Sequence, residues 1–306
     1  MAQRGLVVTA ALAALFAGCH ALPHGVQARS VDGSRMLRTP EPLEPTKAQL
    51  EVDLAAARAT LAAKPGDRDA AVWVARRLGY LGRYREAIAV LTAALDEHRD
   101  DPFLLRHRGH RWITLREFGK AAWDLERAAF ACHTTPDAIE PDGKPTPGRS
   151  PHSTLHYNVH YHLGLALFLA SDFELAERAW LHCLAVVGND ESRVAVVHWL
   201  WCVRMRMGDP AGAAAVVASI RADLDVAENK SYLQLCLLYA GKLPRERIVP
   251  LAGSAGSALA FGLAHHRLVT GDRQLAWREL VELSRAETWS AFGVIAAEVE
   301  VQRFRP

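Results

Sequence analysis

Alanine and leucine dominate the hydrophobic positions of this chain, and runs in which Val, Ile or Thr alternate with polar residues are scarce. This pattern favours helices over strands. In the stretch from Tyr161 to Trp180, one apolar run ends at Ser171-Asp172 and a second begins at Phe173. The pattern therefore predicts two helices joined by a tight turn.

A short motif centred on an alanine recurs along the helical part of the chain. Ala87 and Ala121 lie 34 residues apart, and an aromatic residue, Tyr84 or Phe118, stands three positions before each. Later copies centre on Ala176, Ala213 and Ala276. A break precedes each copy, and the Gly found in several breaks supplies the left-handed residue that ends a helix.

These copies resemble the tetratricopeptide repeat, a helix-turn-helix unit of about 34 residues. Leu163-Gly164 match the family's Leu-Gly pair, and Ala176 and Trp180 match positions of its second helix. The resemblance covers roughly residues 46–306 and implies an all-α, right-handed solenoid of about six hairpins, in which neighbours bury each other's apolar faces. The hairpins are expected near 69–98, 102–131, 154–187, 191–222, 228–250 and 257–284, with a leading helix at 46–64 and a closing helix at 287–304.

An insertion interrupts the repeat between the second and third hairpins. The extra residues fall in the segment 132–152, whose five prolines exclude a helix over most of its length. A loop this long is usually either functional or disordered. If it is ordered, we expect it to fold over the inner surface of the solenoid and present Glu140 and Asp142.

The first residues have the composition of an export signal. Arg4 precedes the apolar run Leu6–Ala17, which is too short to cross a bilayer as a mature helix. The following LFAGC resembles a bacterial lipobox, although Phe16 stands where that family more often has leucine. The resemblance implies that Cys19 is lipidated and becomes the first residue of the mature chain.

Three segments follow from this interpretation: a signal peptide at 1–18, a tether at 19–45 and a folded body at 46–306. The tether is expected to be flexible, because it is rich in Pro, Arg, Gly and Ser and lacks a hydrophobic period. The alternative is an ordinary secretory signal cut after Ala28. Both interpretations predict export, and the first predicts a lipid anchor in the bacterial cell envelope, on the periplasmic or outer-membrane side.

In tetratricopeptide proteins the first helix of each hairpin lines the inner surface, so the resemblance implies a ligand groove lined by aromatic and basic residues. The candidate residues are Trp73, Arg76, Tyr80, Arg106, His107, His110, Tyr161, His162, His198, Trp199, Tyr232, Tyr239, Phe261 and His265. Rings supply contact area at low entropic cost, and Arg binds carboxylate or phosphate. A peptide with a free carboxylate or a carbohydrate suits such a groove. The alternative is that these are ordinary half-buried residues of a solenoid.

The segment Arg106–Arg111, RHRGHR, is the densest cluster of charge. On a helix Arg106 and His110 share a face, as do His107 and Arg111. The cluster is interpreted either as an anion site or as a solvated helix surface.

Histidines are concentrated at the start of the third hairpin. His152, His156 and His160 are spaced by four, so they form one stripe if the helix begins at Pro151. No carboxylate occupies the H-E-x-x-H position. A metal or haem site is one hypothesis, and packing or capping of the helix is the other.

The remaining features narrow the function further. A formal net charge of +2 without a basic stripe argues against a nucleic-acid partner. No cofactor is predicted, because the sequence contains no G-x-S-x-G motif, phosphate-binding loop or dinucleotide fingerprint. The later cysteines show no C-x-x-C spacing, and we expect small buried side chains whose pairing the spacing does not determine. They are Cys132, Cys183, Cys202 and Cys236.

The leading hypothesis is a non-enzymatic interaction or scaffold protein that binds a partner peptide or protein in the groove. One alternative is a receptor for a glycan or small solute in the same groove. A second alternative is a metal-dependent protein or enzyme that uses the His-rich third hairpin.

Overall fold

A computed structural model describes residues 22–39, 46–141 and 148–304. These residues form helices and one two-stranded antiparallel sheet, with strands β1 (Val26–Arg29) and β2 (Met36–Arg38). The helices are α1 (Thr46–Ala63), α2 (Arg68–Tyr80), α3 (Tyr84–Glu97), α4 (Pro102–Thr114), α5 (Phe118–Ala131), α6 (Leu155–Ala170), α7 (Phe173–Val186), α8 (Asp190–Met207), α9 (Pro210–Val217), α10 (Lys230–Tyr239), α11 (Gly253–Thr270), α12 (Arg273–Ser284) and α13 (Phe292–Arg303). Among the described residues, no helix is both long and apolar enough to cross a bilayer. The predicted signal peptide and Cys19 lie outside the described residues.

Consecutive helices pair as hairpins along most of the chain. The pairs α2–α3, α4–α5, α6–α7, α8–α9 and α11–α12 fall where the repeat predicts them, and α1 and α13 are the leading and closing helices. Each second helix begins three residues before the alanine of the motif, at Tyr84, Phe118, Phe173, Pro210 or Arg273. The prediction of an all-α solenoid of helical hairpins is therefore confirmed.

The fifth hairpin, predicted at 228–250, is wrong in its second half. Helix α10 is followed by a short 3-10 helix, Arg245–Arg247, in which no side chain is buried. Glu246 stands where other hairpins bury an alanine, and a charged side chain cannot fill that contact without a large desolvation cost. Pro244 and Pro250 flank the segment and further disfavour an α-helix there.

Small residues set the closest contacts between paired helices. The motif alanines are fully buried: Ala87, Ala121, Ala176, Ala213 and Ala276. An ideal Cβ at Gly109 of α4 would lie 2.6 Å from the Leu125 side chain of α5. One at Gly164 of α6 would lie 2.5 Å from the Trp180 ring of α7. Glycine therefore allows these helices to approach until the large residues of the second helix pack against backbone.

The turns between paired helices use a left-handed residue, as the breaks predict. Gly82 has φ +69° in the first hairpin, but Arg116 and Ser171 have φ +67° and +77° at the same place in the second and third. A residue with a Cβ is strained in this region. The side chain of Arg116 is held by contacts with α13, which are described below, and these offset the backbone cost.

Residues 22–39 correct the prediction of a flexible tether. Strands β1 and β2 pair antiparallel, and Ala28 and Leu37 are buried in one cluster with Tyr84 and Trp289. The indole Nε1 of Trp289 donates to a carbonyl of β2 at 2.5 Å. The apolar partners of the hairpin lie far away in the chain, so local composition does not reveal them. The rest of the predicted tether, 19–21 and 40–45, lies outside the described residues.

The closing helix α13 lies against first helices of earlier hairpins. Residues 293–300 are all buried. The ring of Phe292 is centred 5.2 Å from that of His110 in α4 and 5.8 Å from that of His162 in α6. Near the other end of the helix, Arg303 donates to the carbonyl of Leu169 in α6 at 3.3 Å. Helix α13 therefore fills part of the inner surface that the resemblance implies is an open groove.

The described parts of the insertion are fixed to the third hairpin. An isolated β-bridge joins Ile139 to Thr154, and Oδ1 of Asp137 accepts a hydrogen bond from the backbone N–H of His156 at 2.9 Å. Glu140 is only 3% exposed and points toward the first helices of the solenoid, as expected for an ordered insertion. Asp142 lies outside the described residues.

Candidate functional site

The structure divides the predicted groove residues into two groups. The first, called the aromatic core here, consists of Tyr161, His198, Trp199, Tyr232, Tyr239, Phe261 and His265. The second, called the cationic cluster, consists of Arg76, Tyr80, Arg106, His107, His110 and His162, together with Arg111 and Glu140. Trp73 borders the cationic cluster, where the guanidinium of Arg76 lies 5.2 Å from the centre of its ring.

The aromatic core is part of the protein interior. Trp199 is 1% exposed, and its Nε1 donates to the hydroxyl of Tyr161 at 3.0 Å. Its ring is centred 5.6 Å from that of Phe261 in α11, while Nδ1 of His198 lies 3.2 Å from the hydroxyl of Tyr239. Because α11 packs on α8 and covers these rings, they do not line an open groove. The glycan hypothesis therefore loses Trp199 as a stacking surface.

Glu140 from the insertion is the centre of the cationic cluster. Nη2 of Arg106 lies 2.8 Å from Oε2 of Glu140, and Nε2 of His107 lies 3.4 Å from Oε1. Asn158 also donates to Oε2. Nδ1 of His107 accepts a hydrogen bond from Nη1 of Arg106 at 3.0 Å, which fits a neutral imidazole with its proton on Nε2.

The solvated-surface interpretation of RHRGHR is wrong for the residues that contact Glu140. Arg106 and His107 are 8% and 4% exposed. On the other side of α4, Arg108 forms a two-pronged pair with Asp124 of α5, at 2.7 Å for both bonds. The segment is therefore packed on more than one side, and Arg106 and Arg108 both pair with carboxylates of the protein itself.

The cluster carries more positive than negative charge. The guanidinium of Arg111 lies 5.6 Å from the centre of the Tyr84 ring, and its Nη2 donates to Nδ1 of His110 at 3.0 Å. Neither partner is an anion. Among the residues that the structure describes, Arg76 and Arg111 form no ion pair, and Nε of Arg106 has no acceptor. The described part of the cluster therefore holds three guanidinium groups and one carboxylate.

The pKa values of Arg111, His107 and Glu140 are all lower than usual. Burial lowers the pKa of Arg111 to about 10 and, with the adjacent Arg106, lowers the pKa of His107 to about 3. Burial by itself raises the pKa of Glu140, but Arg106 and His107 outweigh it and lower that pKa to about 2. At neutral pH the cluster thus holds charged guanidinium groups, one carboxylate and neutral imidazoles. An anionic group from a ligand would offset the excess charge and accept charge-assisted hydrogen bonds.

The half-buried members of the cluster lie on α2 and α4. Arg76, Tyr80, His110 and Arg111 are each half-buried, as is the neighbouring Trp73. Cationic and aromatic side chains therefore meet on one partly exposed surface. Such a surface has the charge and the ring area that would suit an anionic group.

The histidines proposed as metal ligands do not form a single stripe. Helix α6 has Thr154 as its N-cap, so His152 precedes the helix and only His156 and His160 share a face. The ring of His160 stacks on that of His182 in α7, with centres 5.4 Å apart. Within the described ranges, no group of three or more His, Cys, Asp or Glu residues is arranged to hold a metal.

The four later cysteines are buried and free, as expected for small apolar side chains. Sγ of Cys202 lies 3.8 Å from Nε2 of His198, a neighbour that activates a thiol when both are accessible. Here both residues are fully buried, and burial raises the pKa of Cys202 well above its usual range. This pair therefore belongs to the core rather than to a catalytic site.

Sequence reasoning left two contributors out of the predicted groove. Arg111 belongs to the charged segment RHRGHR but not to the set of groove residues, and the sequence does not assign the closing helix, which carries Phe292, to any surface. The segment FGVIAA at the start of α13 is apolar on all sides, and this signal indicates a fully buried helix. It does not indicate which surface covers the helix.

Solved structures of low sequence identity resemble this fold. Neither a protein-family model nor a curated protein matches the chain. Among solved structures, YrrB, described as a TPR protein with an unusual peptide-binding site, is 14% identical with a TM-score of 0.44, over 74% of this chain and 97% of its own. A tetratricopeptide repeat protein from Parabacteroides merdae is 14% identical with a TM-score of 0.49, over 84% of this chain and 94% of its own. The Naa15/Naa10 complex bound to HypK-THB gives 16% identity and a TM-score of 0.38, over 82% of this chain and 37% of the matched chain.

Proposed function

We propose that this chain is a non-enzymatic binding protein of the bacterial cell envelope, which holds a partner protein or peptide by an anionic group at the cationic cluster. The observation that carries the proposal is the charge imbalance: the cluster holds three guanidinium groups and one described carboxylate, Glu140, which is buried with Arg106, while Arg76 and Arg111 are half-buried. Arg donates paired hydrogen bonds to a carboxylate, and the rings of Trp73 and Tyr80 supply contact area beside it. A chain terminus or an acidic side chain of the partner fits this chemistry.

The proposed location rests on the amino-terminal sequence. The segment LFAGC resembles a lipobox, so Cys19 is the proposed site of lipidation. Cleavage after Ala28, the alternative, would divide strand β1 and remove residues that pack on the body. The folded hairpin therefore supports processing before β1. The mass of the amino-terminal peptide of the purified protein tests this directly.

The test of partner binding is photo-crosslinking in cells that express the full chain. A photoreactive amino acid replaces Tyr80, which is half-buried beside the cluster, and crosslinked proteins are identified by mass spectrometry. We expect one or two proteins to be enriched. Arg76→Gln in the same chain should weaken their capture by about tenfold or more, because one charge-assisted contact is lost.

Two controls make the outcome specific. The probe placed at Val249, which is 62% exposed on the loop after α10, should not capture the same proteins. Arg178→Gln removes an equal charge from the exposed face of α7 and should leave the capture at position 80 unchanged. Equal capture from positions 80 and 249, or no effect of Arg76→Gln, would refute binding at the cationic cluster.

A further inference from the structure

The outward face of the β1–β2 hairpin is cationic and partly apolar. Arg29 lies directly across from Met36 in the strand register, and Arg38 follows Met36 on the same face of β2. Met36 is 46% exposed, and both arginines are exposed. Arg38 donates to the carbonyl of His24 at 2.8 Å, and neither arginine pairs with a carboxylate among the described residues.

The inward face holds this surface in a fixed orientation. Ala28 and Leu37 are buried between Tyr84 of α3 and Trp289, which precedes α13. Thr39 also donates to the carbonyl of Gly82 at 2.6 Å. The hairpin is therefore a rigid part of the body, and its outward side chains face away from the solenoid.

Two further arginines lie beside the outward face of the hairpin, and residues 22–39 contain a single acidic residue. Arg35 donates to the carbonyl of Ser284 at 2.6 Å, and Arg85 donates to the carbonyl of Gln27 at 2.7 Å. Asp32 is the one acidic residue of 22–39, and its carboxylate accepts hydrogen bonds from Ser30 and Ser34 in the turn. The hairpin region therefore presents an excess of guanidinium groups around an exposed apolar side chain.

The position of the hairpin in the chain points to its partner. This step depends on the proposed lipidation of Cys19. An extended chain rises at most about 3.6 Å per residue, so Cys19 and the start of β1 at Val26 are separated by no more than about 25 Å. A body held this close to its acyl chains keeps the hairpin at the bilayer surface. Negative lipid headgroups attract arginine within roughly a Debye length, about 8–10 Å.

We propose that Arg29, Met36 and Arg38 form a docking surface for an anionic phospholipid bilayer, which orients the solenoid on the membrane that holds Cys19. The arginines contact lipid phosphates, and Met36 enters the headgroup region between them. The lipid on Cys19 holds the chain at the membrane, and the cationic patch determines which face of the solenoid lies against the bilayer.

The experiment places a fluorescent label on the full chain in vesicles. The single substitution Met36→Cys is labelled with an environment-sensitive dye, and the four native cysteines of the described body do not compete because they are buried. The purified protein is reconstituted in vesicles of phosphatidylcholine with phosphatidylglycerol, or of phosphatidylcholine alone. Emission of the dye and its quenching by a spin-labelled lipid are measured, with Val249→Cys as the label control.

The expected result is blue-shifted emission and lipid quenching at position 36 in the anionic vesicles only. Arg29→Gln with Arg38→Gln should lower the ratio of docked to undocked protein by about thirtyfold, since each arginine near such a surface contributes about a fivefold factor. The matched pair Arg178→Gln with Arg278→Gln removes the same charge from exposed sites elsewhere and should have no effect.

The lipid anchor at Cys19 and the docking surface on the hairpin can be refuted separately. If the protein floats with the vesicles but the label at position 36 stays in water, the docking surface is refuted and the anchor stands. If the dye at position 36 shows the same blue shift and quenching in vesicles without anionic lipid, the partner is not an anionic bilayer. The same conclusion follows if the blue shift appears only when another protein is present. If the amino-terminal peptide carries no lipid and the protein does not float, the proposed anchor and the docking surface are both refuted.

Discussion

Gly164 shows how single residues set the spacing of the solenoid. An ideal Cβ there would lie 2.5 Å from the ring of Trp180, which is fully buried and cannot move away without disturbing its neighbours. Gly164→Ala should therefore lower the free energy of unfolding by about 1–3 kcal/mol, the usual cost of overpacking. The shift of the urea midpoint at constant slope measures it.

Gly119 provides the matched control for this prediction. It lies in the first turn of α5, and an added Cβ would have no atom within 4 Å apart from the adjacent backbone of its own helix. Gly119→Ala should leave the midpoint unchanged or raise stability by about 0.5–1 kcal/mol, because alanine favours the helix. Equal effects of the two substitutions would show that helix propensity, and not the approach of α6 to α7, decides the result at Gly164.

Among the elements, α13 is joined to the solenoid by a buried ion pair. Arg116 and Glu298 have side chains that are each 5% exposed, and Nη2 of Arg116 lies 2.7 Å from Oε1 of Glu298. Arg116→Ala leaves the carboxylate buried without its cation, so stability should fall by about 3–5 kcal/mol. Arg127→Ala breaks an exposed pair with Asp100 and should cost about 1 kcal/mol or less. Similar losses in urea titrations of the two variants would contradict the role assigned to Arg116.

Helix pairs were predictable because their determinants are local. An alanine such as Ala121 and a glycine such as Gly109 repeat at fixed spacing, and each fixes one contact between neighbouring helices. The fifth hairpin departs from prediction where Glu246 interrupts that local rule.

The placement of α13 and of the β1–β2 hairpin was not predictable in this way. Arg116 and Glu298 are separated by 182 residues, and Trp289 and its acceptor Arg38 by 251. Nothing in the local pattern around either partner specifies the other. For the same reason, the list of groove residues mixed the aromatic core with the cationic cluster. A family pattern gives the first helix of each hairpin but not what covers it, and α11 and α13 cover most of it.

At the scale of the whole molecule, these long-range contacts join the two ends of the solenoid. The backbone N–H of Val31 donates to Glu298 at 3.1 Å, so the hairpin, the second repeat and α13 meet at one carboxylate. The inner surface is consequently divided. Its later part is interior, and its early part, with Arg76 and Tyr80, is accessible. A partner is therefore expected to contact the first two hairpins rather than run through the full length of a groove.

The closed interior also predicts how stability depends on pH. Burial lowers the pKa of His107, His162 and His198 to about 3, well below the usual value for histidine. Between pH 3 and pH 6.5 the unfolded chain therefore binds more protons than the folded chain, and stability rises with pH. Each such histidine should lower the free energy of unfolding by about 1.4 kcal/mol for every pH unit below 6.5, which is about 2 kcal/mol at pH 5.

Glu140 also makes stability rise with pH, but at lower pH. Its pKa is about 2 in the folded protein, so it stabilises the fold above the pKa of the unfolded chain and loses that contribution as the pH falls toward 2.

Because of the buried histidines, urea midpoints should decrease from pH 7 to pH 6 and again to pH 5. His107→Gln removes one of the titrating groups and should flatten the decrease, while His133→Gln, at an exposed site, should leave it unchanged. A midpoint that stays constant from pH 7 to pH 5 would show that these imidazoles take up protons in the folded protein, and that the interior is open to water where the structure closes it.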